Sequence, residues 1–194
     1  LVALGAVLAV GALAVLQYLS ARGAFTKVET RAIAGCTAQL LPGSAEDFAI
    51  DAASGVAYLS VLDRRAARAE PLRTGTILRL DLHQPGSQPL PATAGDPPGF
   101  RPQGLSLWSH PPDPRRLFVV NRSLDPEGAE QQSVEVFEEQ PDGLFHHEKT
   151  VRDALFAHPN DLAAVGPDQF YLSNDSGAHY ALTRAFEALF QLAW

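Results

Sequence analysis

Three clusters of acids and amides hold the residues best suited to chemistry. They are Glu46-Asp47 in PGSAEDFAID, Asn160-Asp161 in HPNDLAAVGPDQFYLSND, and Asn174-Asp175 at the close of that passage. Hard cations such as calcium take several oxygen ligands, and carboxylates beside amide carbonyls supply them from loops. On an extended chain neighbouring side chains point opposite ways, so Glu46-Asp47 can serve two sites, or one site and one structural bond. Turns and helix caps use the same residue types for backbone reasons, and for any single cluster that is the commoner role. No helix-loop-helix calcium loop is present. The histidines at 83, 110, 146, 147, 158 and 179 form neither an HExxH nor a Cys/His zinc spacing, and no GxSxG elbow occurs. His146-His147 follows Asp142-Gly143 and reads as an exposed pair in a loop. Asn121-Arg-Ser123 and Asn174-Asp-Ser176 fit the glycosylation acceptor pattern, although both asparagines also suit a place inside the fold.

The elements that must position these residues begin with an apolar run. Leu1 to Leu16 carries no polar side chain, and Gln17-Tyr-Leu19 extends it, a length between a signal-peptide core and a full membrane span. Ser20-Ala-Arg22 makes a poor cleavage site, so residues 1–20 are expected to be a signal or anchor segment, with the anchor favoured. Residues 21–194 are then expected outside the cytoplasm, as a membrane-anchored, secreted or periplasmic domain, with residues 1–19 available to membrane or lipid. The absence of methionine and the start at Leu1 suggest that the genetic start lies upstream. With 15 basic and 22 acidic side chains the net charge is −7, which argues against nucleic acid as a partner. Cys36 is the single cysteine, and a buried free thiol is its commonest state.

Beyond a linker or first strand over residues 21–41, short apolar runs recur between turn residues. Gly55–Ser60, Gly75–Leu82, Arg116–Asn121, Ser133–Glu138 and Gln169–Ser173 read as strands. The Pro- and Gly-rich stretch at 84–101 is not helical, and 109–116 is a second break. The class is all-β, and either a sandwich or a propeller fits the strands.

Read together, the motifs resemble the paraoxonase/arylesterase family. They run, in the family's order, through Gly35-Cys36, Gly43-Ser-Ala-Glu-Asp47, Gly75-Thr-Ile-Leu-Arg-Leu-Asp81, Phe100-Arg-Pro-Gln-Gly-Leu-Ser106, Val119-Val-Asn121 and Ser133-Val-Glu-Val-Phe137. Pro159-Asn-Asp161, Val165-Gly-Pro167, Phe170-Tyr171, Asn174-Asp175 and Leu192-Ala-Trp194 continue them. The resemblance implies a six-bladed β-propeller with two calcium ions in its tunnel, hydrolysing aryl esters and lactones. This chain would form about three of the blades, preceded by the apolar helix, because a blade needs about 40–45 residues. By the same resemblance Glu46 and Asn160 match ligands of the catalytic calcium. Asp47, Asp161 and the backbone carbonyl of Leu105 match ligands of the structural one, and Asn121 and Asn174 line the tunnel nearby.

Two departures follow from the same comparison. Gln103 and Arg122 stand where better-studied members carry the histidines proposed to activate water. Glutamine is no base near neutral pH, and arginine stays protonated. The resemblance reaches only the family's first half, so its second half, with the remaining ligands and the cysteine that would pair with Cys36, is expected to lie outside this sequence, and strand edges and an apolar flank are expected to be exposed. The competing reading is a propeller scaffold or binding protein that has lost catalysis, since propellers host many functions.

Overall fold

The computed structural model describes residues 2–29, 31, 34–36, 38–178 and 180–190. Ile33, His179 and the Leu192-Ala-Trp194 motif lie outside the described residues. In chain order the elements are α1 (Val2–Ala21), β1 (Ser44–Asp51), β2 (Val56–Leu62), α2 (Ala66–Ala69), β3 (Thr76–Asp81), β4 (Leu90–Pro91) and β5 (Thr93–Ala94). There follow β6 (Pro102–Trp108), β7 (Arg116–Leu124), β8 (Glu130–Glu139), β9 (Phe145–Val151), β10 (Pro159–Gly166), β11 (Gln169–Asn174) and α3 (Ala181–Phe190). They fall into two compact units, Gln39–Asp175 and, separately, Leu1–Ala38 with Ser176–Trp194.

In the terminal unit, α1 is rich in Ala and Leu, which favour helix, and it is apolar all round. Its stretch Ala3–Ala21 has mean hydropathy 1.9 and no buried residue, and is long and apolar enough to cross a membrane. Cys36 is a free, exposed thiol, not the buried one expected.

The larger unit is built from antiparallel meanders. β1-β2-β3-β4 form one sheet; β6-β7-β8-β9 form a second, to which β5 adds in parallel beside β9; β10-β11 open a third. The first strands of the three sheets are spatial neighbours, β6 lying between β1 and β10. That is the arrangement of successive propeller blades, whose first strands surround the axis. It excludes the sandwich: two complete blades and the first hairpin of a third are present.

The packing follows from the sequence of β7. Its run Leu117-Phe-Val-Val120 is continuously apolar because both faces of the middle blade are covered. Leu117 and Val119 point towards the first blade, where they meet Tyr58, Ile77, Leu105, Phe137 and Phe145. Phe118 and Val120 point the other way, to Val134, Val136, Leu162 and Phe170. On the first and third sheets Phe48, Ile50 and Tyr171 are exposed, in keeping with the apolar flank expected. Arg115 ties the two complete blades together, donating to Asp51 (2.9 Å), Glu139 (2.8 Å) and the Tyr58 hydroxyl (3.2 Å).

Five expected strands correspond to β2, β3, β7, β8 and β11. Four longer ones were not anticipated: β1, β6, β9 and β10. His146 and His147 therefore lie on β9 and not in a loop; the loop reading gave way to pairing with β8, where His147 sits opposite Phe137.

Candidate functional site

The acid-amide pairs sit on the first strands of neighbouring blades. Glu46-Asp47 is on β1, Gln103-Gly-Leu105 on β6 and Asn160-Asp161 on β10. They are thus strand residues, not loop residues, and each strand carries one extra residue at that point. The ladder steps from Ala45↔Val61 to Asp47↔Ser60, from Pro102↔Asn121 to Leu105↔Val119, and from Pro159↔Asn174 to Asp161↔Ser173. Glu46, one residue of Gln103-Gly104, and Asn160 are left over. A β-bulge re-aims a side chain and frees backbone groups from the ladder. Three such bulges at the same end of three adjacent strands concentrate polar atoms at one place.

Gly104 lets the strands come together. A Cβ there would sit 2.5 Å from Asp161 Cα and 2.6 Å from both Asn160 O and Asp161 Oδ1, so only glycine fits. From the other side, the Leu105 amide donates to Asp47 Oδ2 at 2.8 Å. Asp47 and Asp161 therefore approach the same two residues of β6 from opposite neighbours. Ser106 Oγ accepts from the Ala164 amide at 3.1 Å and fixes β10 against β6. Among the described residues neither carboxylate forms an ion pair, and none of the groups of three His, Cys, Asp or Glu that could hold a metal is present. What is available is a pair of acids supplemented by amide and backbone oxygens, a donor set suited to a hard cation. It fits the calcium implied for Asp47, Asp161 and Leu105.

Glu46 is different. Its carboxylate is held by Arg64 Nη2 at 2.6 Å, and the same nitrogen donates to Gln103 Oε1 at 3.1 Å. Gln103 is buried and Arg122 faces Asp175 at 3.6 Å. Arg64 therefore stands against one oxygen, Oε2, of the glutamate implied for a second calcium. The sequence reading did not single out Arg64; a basic pair, Arg64-Arg65, directly after β2 was the only signal.

Behind β6 lies a buried carboxylate that the sequence reading also passed over. Glu135 accepts from Asn121 Nδ2 (2.8 Å), Ser133 Oγ (2.6 Å) and Thr150 Oγ1 (2.5 Å), and lies 2.9 Å from His147 Nε2. Burial acts to raise its pKa, but these four partners together hold it below the ordinary glutamate value. Asn121 also accepts from the Arg101 amide at 2.9 Å. Asn174 accepts from the His158 amide at 3.0 Å and donates to Leu155 O at 3.1 Å. Both asparagines thus serve the fold. A cleft of about 410 Å³ opens beside Arg101, lined by Leu72, Pro98, Leu124 and Arg152, but none of the acid-amide pairs lines it.

A propeller with polar bulges on its inner strands defines a broad class. The chain belongs, within it, to the arylesterase family, whose model matches residues 53–194. Glu46 and Asp47 lie just before the matched stretch. The chain is 35% identical over 127 residues to serum paraoxonase/arylesterase 2 of Homo sapiens and 33% identical over 128 residues to that of Gallus gallus. It is 32% identical over 127 residues to serum paraoxonase/lactonase 3 of Homo sapiens. Each match covers 64% of this chain and 35% of the relative, so the aligned part spans about a third of the length of these curated relatives.

Proposed function

We propose that this chain is the N-terminal part of a calcium-dependent hydrolase of aryl esters and lactones. The observation that carries the reading is the convergence of Asp47 and Asp161 on Gly104-Leu105. Asp47 Oδ2 accepts from the Leu105 amide and Asp161 Oδ1 from the Leu162 amide, and among the described residues neither forms an ion pair, so carboxylate oxygens remain beside one bulged strand to receive a hard cation. The printed names of the relatives, arylesterase and lactonase, supply the substrate class.

In this reading Asp47, Asp161 and the Leu105 carbonyl hold one calcium ion. When bound, such an ion polarises a carbonyl oxygen or fixes the geometry of the groups around it. Gly104 keeps β6 close enough to β10 for both acids to reach the same place. Glu135, through Asn121, fixes β7 behind β6, and the Asn121 side chain holds the backbone at Arg101. Gln103 and Arg122 offer no base near neutral pH, so water must be activated by another group. Residues 1–20 serve as the signal or anchor segment, and residues 21–194, whose partial propeller is Gln39–Asp175, lie outside the cytoplasm.

A second reading, a non-catalytic binding propeller, is favoured by Gln103 and Arg122 themselves. The two readings separate in one assay. The full-length chain is given phenyl acetate and a δ-lactone, with calcium and then with excess chelator. Hydrolysis that disappears on chelation and returns with calcium supports the enzyme. No turnover of either substrate by folded, calcium-loaded protein leaves the scaffold.

A further inference from the structure

Arg64 stands in the short segment between β2 and α2, and its guanidinium reaches two residues of the inner strands. One nitrogen, Nη2, lies 2.6 Å from the Glu46 carboxylate and 3.1 Å from Gln103 Oε1. The first is a tight charge-assisted contact. The second gives the glutamine a role, because an amide oxygen accepts from guanidinium without titrating. Arg64 and Gln103 act as one unit, and Glu46 is the acid that neutralises it.

We infer that Arg64 is the resident cation of the Glu46–Gln103 half of the site, so that this chain takes calcium at the Asp47–Asp161 pair and not at Glu46. The inference rests on the calcium reading of Asp47 and Asp161 given above and deepens it. A calcium ion bonded to the Glu46 carboxylate would lie about 2.3–2.6 Å from one of its oxygens, and Arg64 already sits 2.6 Å from Oε2. Both cations cannot occupy it without close like-charge contact. The surroundings add to the repulsion. Arg101, next but one to Gln103, has its pKa lowered by burial first and then by the positive charges of Arg64 and Arg122, while Glu130 opposes the shift. Arg122 joins this group from β7, its amide donating to Arg101 O at 3.2 Å. Positive charge is therefore supplied here by the chain itself. Arg64 Nε is buried and has no acceptor among the described residues, so the guanidinium is held by its Nη2 contacts and not by a full set of partners. Its planar, permanently charged fork suits a carbonyl or carboxylate oxygen.

The test is calcium titration by calorimetry on the full-length wild-type chain, Arg64→Gln and Glu46→Gln, with calcium alone as the probe. The expected result is one more calcium ion bound by Arg64→Gln than by wild type, because Glu46 is released. Glu46→Gln is expected to bind the same number as wild type. An unchanged count in folded Arg64→Gln, or the loss of one ion in Glu46→Gln, would overturn the inference. Should Arg64→Gln fail to fold, the Glu46→Gln count decides alone. If the wild type binds no calcium, the Asp47–Asp161 reading fails. The Arg64 inference then survives only if Arg64→Gln takes up one ion.

Discussion

Replacing Gly104 by alanine tests whether the closeness of β6 to β10 builds the site. The added methyl would lie 2.5 Å from Asp161 Cα and 2.6 Å from Asn160 O, both backbone atoms that cannot swing aside. Ordinary carbon contacts lie at about 3.5–4.0 Å, so the strands must part by roughly 1 Å. Overpacking of this kind costs about 1–3 kcal/mol. The displacement also moves Asp161 away from Leu105, while the Leu105–Asp47 hydrogen bond stays on the opposite side of β6. Gly104→Ala is therefore expected to lower unfolding free energy in urea by about 1–3 kcal/mol and to weaken calcium binding about tenfold or more. Gly166→Ala, at the far end of the neighbouring β10, serves as the control, since the nearest atoms to its methyl belong to the flexible Gln169 side chain, the first at 3.3 Å. It should stay within about 0.5 kcal/mol of wild type. Equal effects from the two variants, or an unchanged calcium affinity in Gly104→Ala, would refute the argument.

Two further predictions concern the scaffold behind the site. Glu135 has a folded pKa below its ordinary value of 4.5, so its stabilising contribution is complete above that pH and is lost as pH falls through the lowered folded value. Glu135→Gln should therefore flatten the acid limb of the stability–pH curve by up to about 1.4 kcal/mol per pH unit, read by urea unfolding at stepped pH; an unchanged limb would contradict the assignment. Arg115 forks between Asp51 and Glu139 of different blades. Arg115→Lys should lose about 1–2 kcal/mol, since an ammonium cannot span both acids and the Tyr58 hydroxyl with one planar group; full stability of this variant in urea would show the tie to be unimportant.

How far the sequence carried this picture depended on the strand. β2, β3, β7 and β8 were legible because each carries buried apolar side chains at its centre, and the continuous run at 117–120 marked a blade covered on both faces. β1, β6 and β10 were hidden by the residues that matter for the site. Glu, Asp, Asn, Gln and Gly have low strand propensity, and a bulge breaks the alternation by which a strand is recognised. The acid-amide pairs were nevertheless visible as residue types, and the two members of the first meet different partners: Glu46 meets Arg64 while Asp47 meets Leu105. Arg64 itself was not legible, because its role comes from a contact spanning 39 residues to Gln103. Glu135 was hidden for a similar reason. Its partners Asn121, Ser133, His147 and Thr150 come from three strands, and only the register of β7, β8 and β9 brings them to one carboxylate.

We propose that Asp47 and Asp161 hold one calcium ion against Leu105, from their approach to the same strand. Calorimetric calcium titration of the full-length chain, beside Asp47→Asn and Asp161→Asn, tests it most directly. Each variant, while folded, is expected to lose the same single ion from the wild-type count. Loss of different ions by the two variants, or wild-type stoichiometry retained in both, would contradict it.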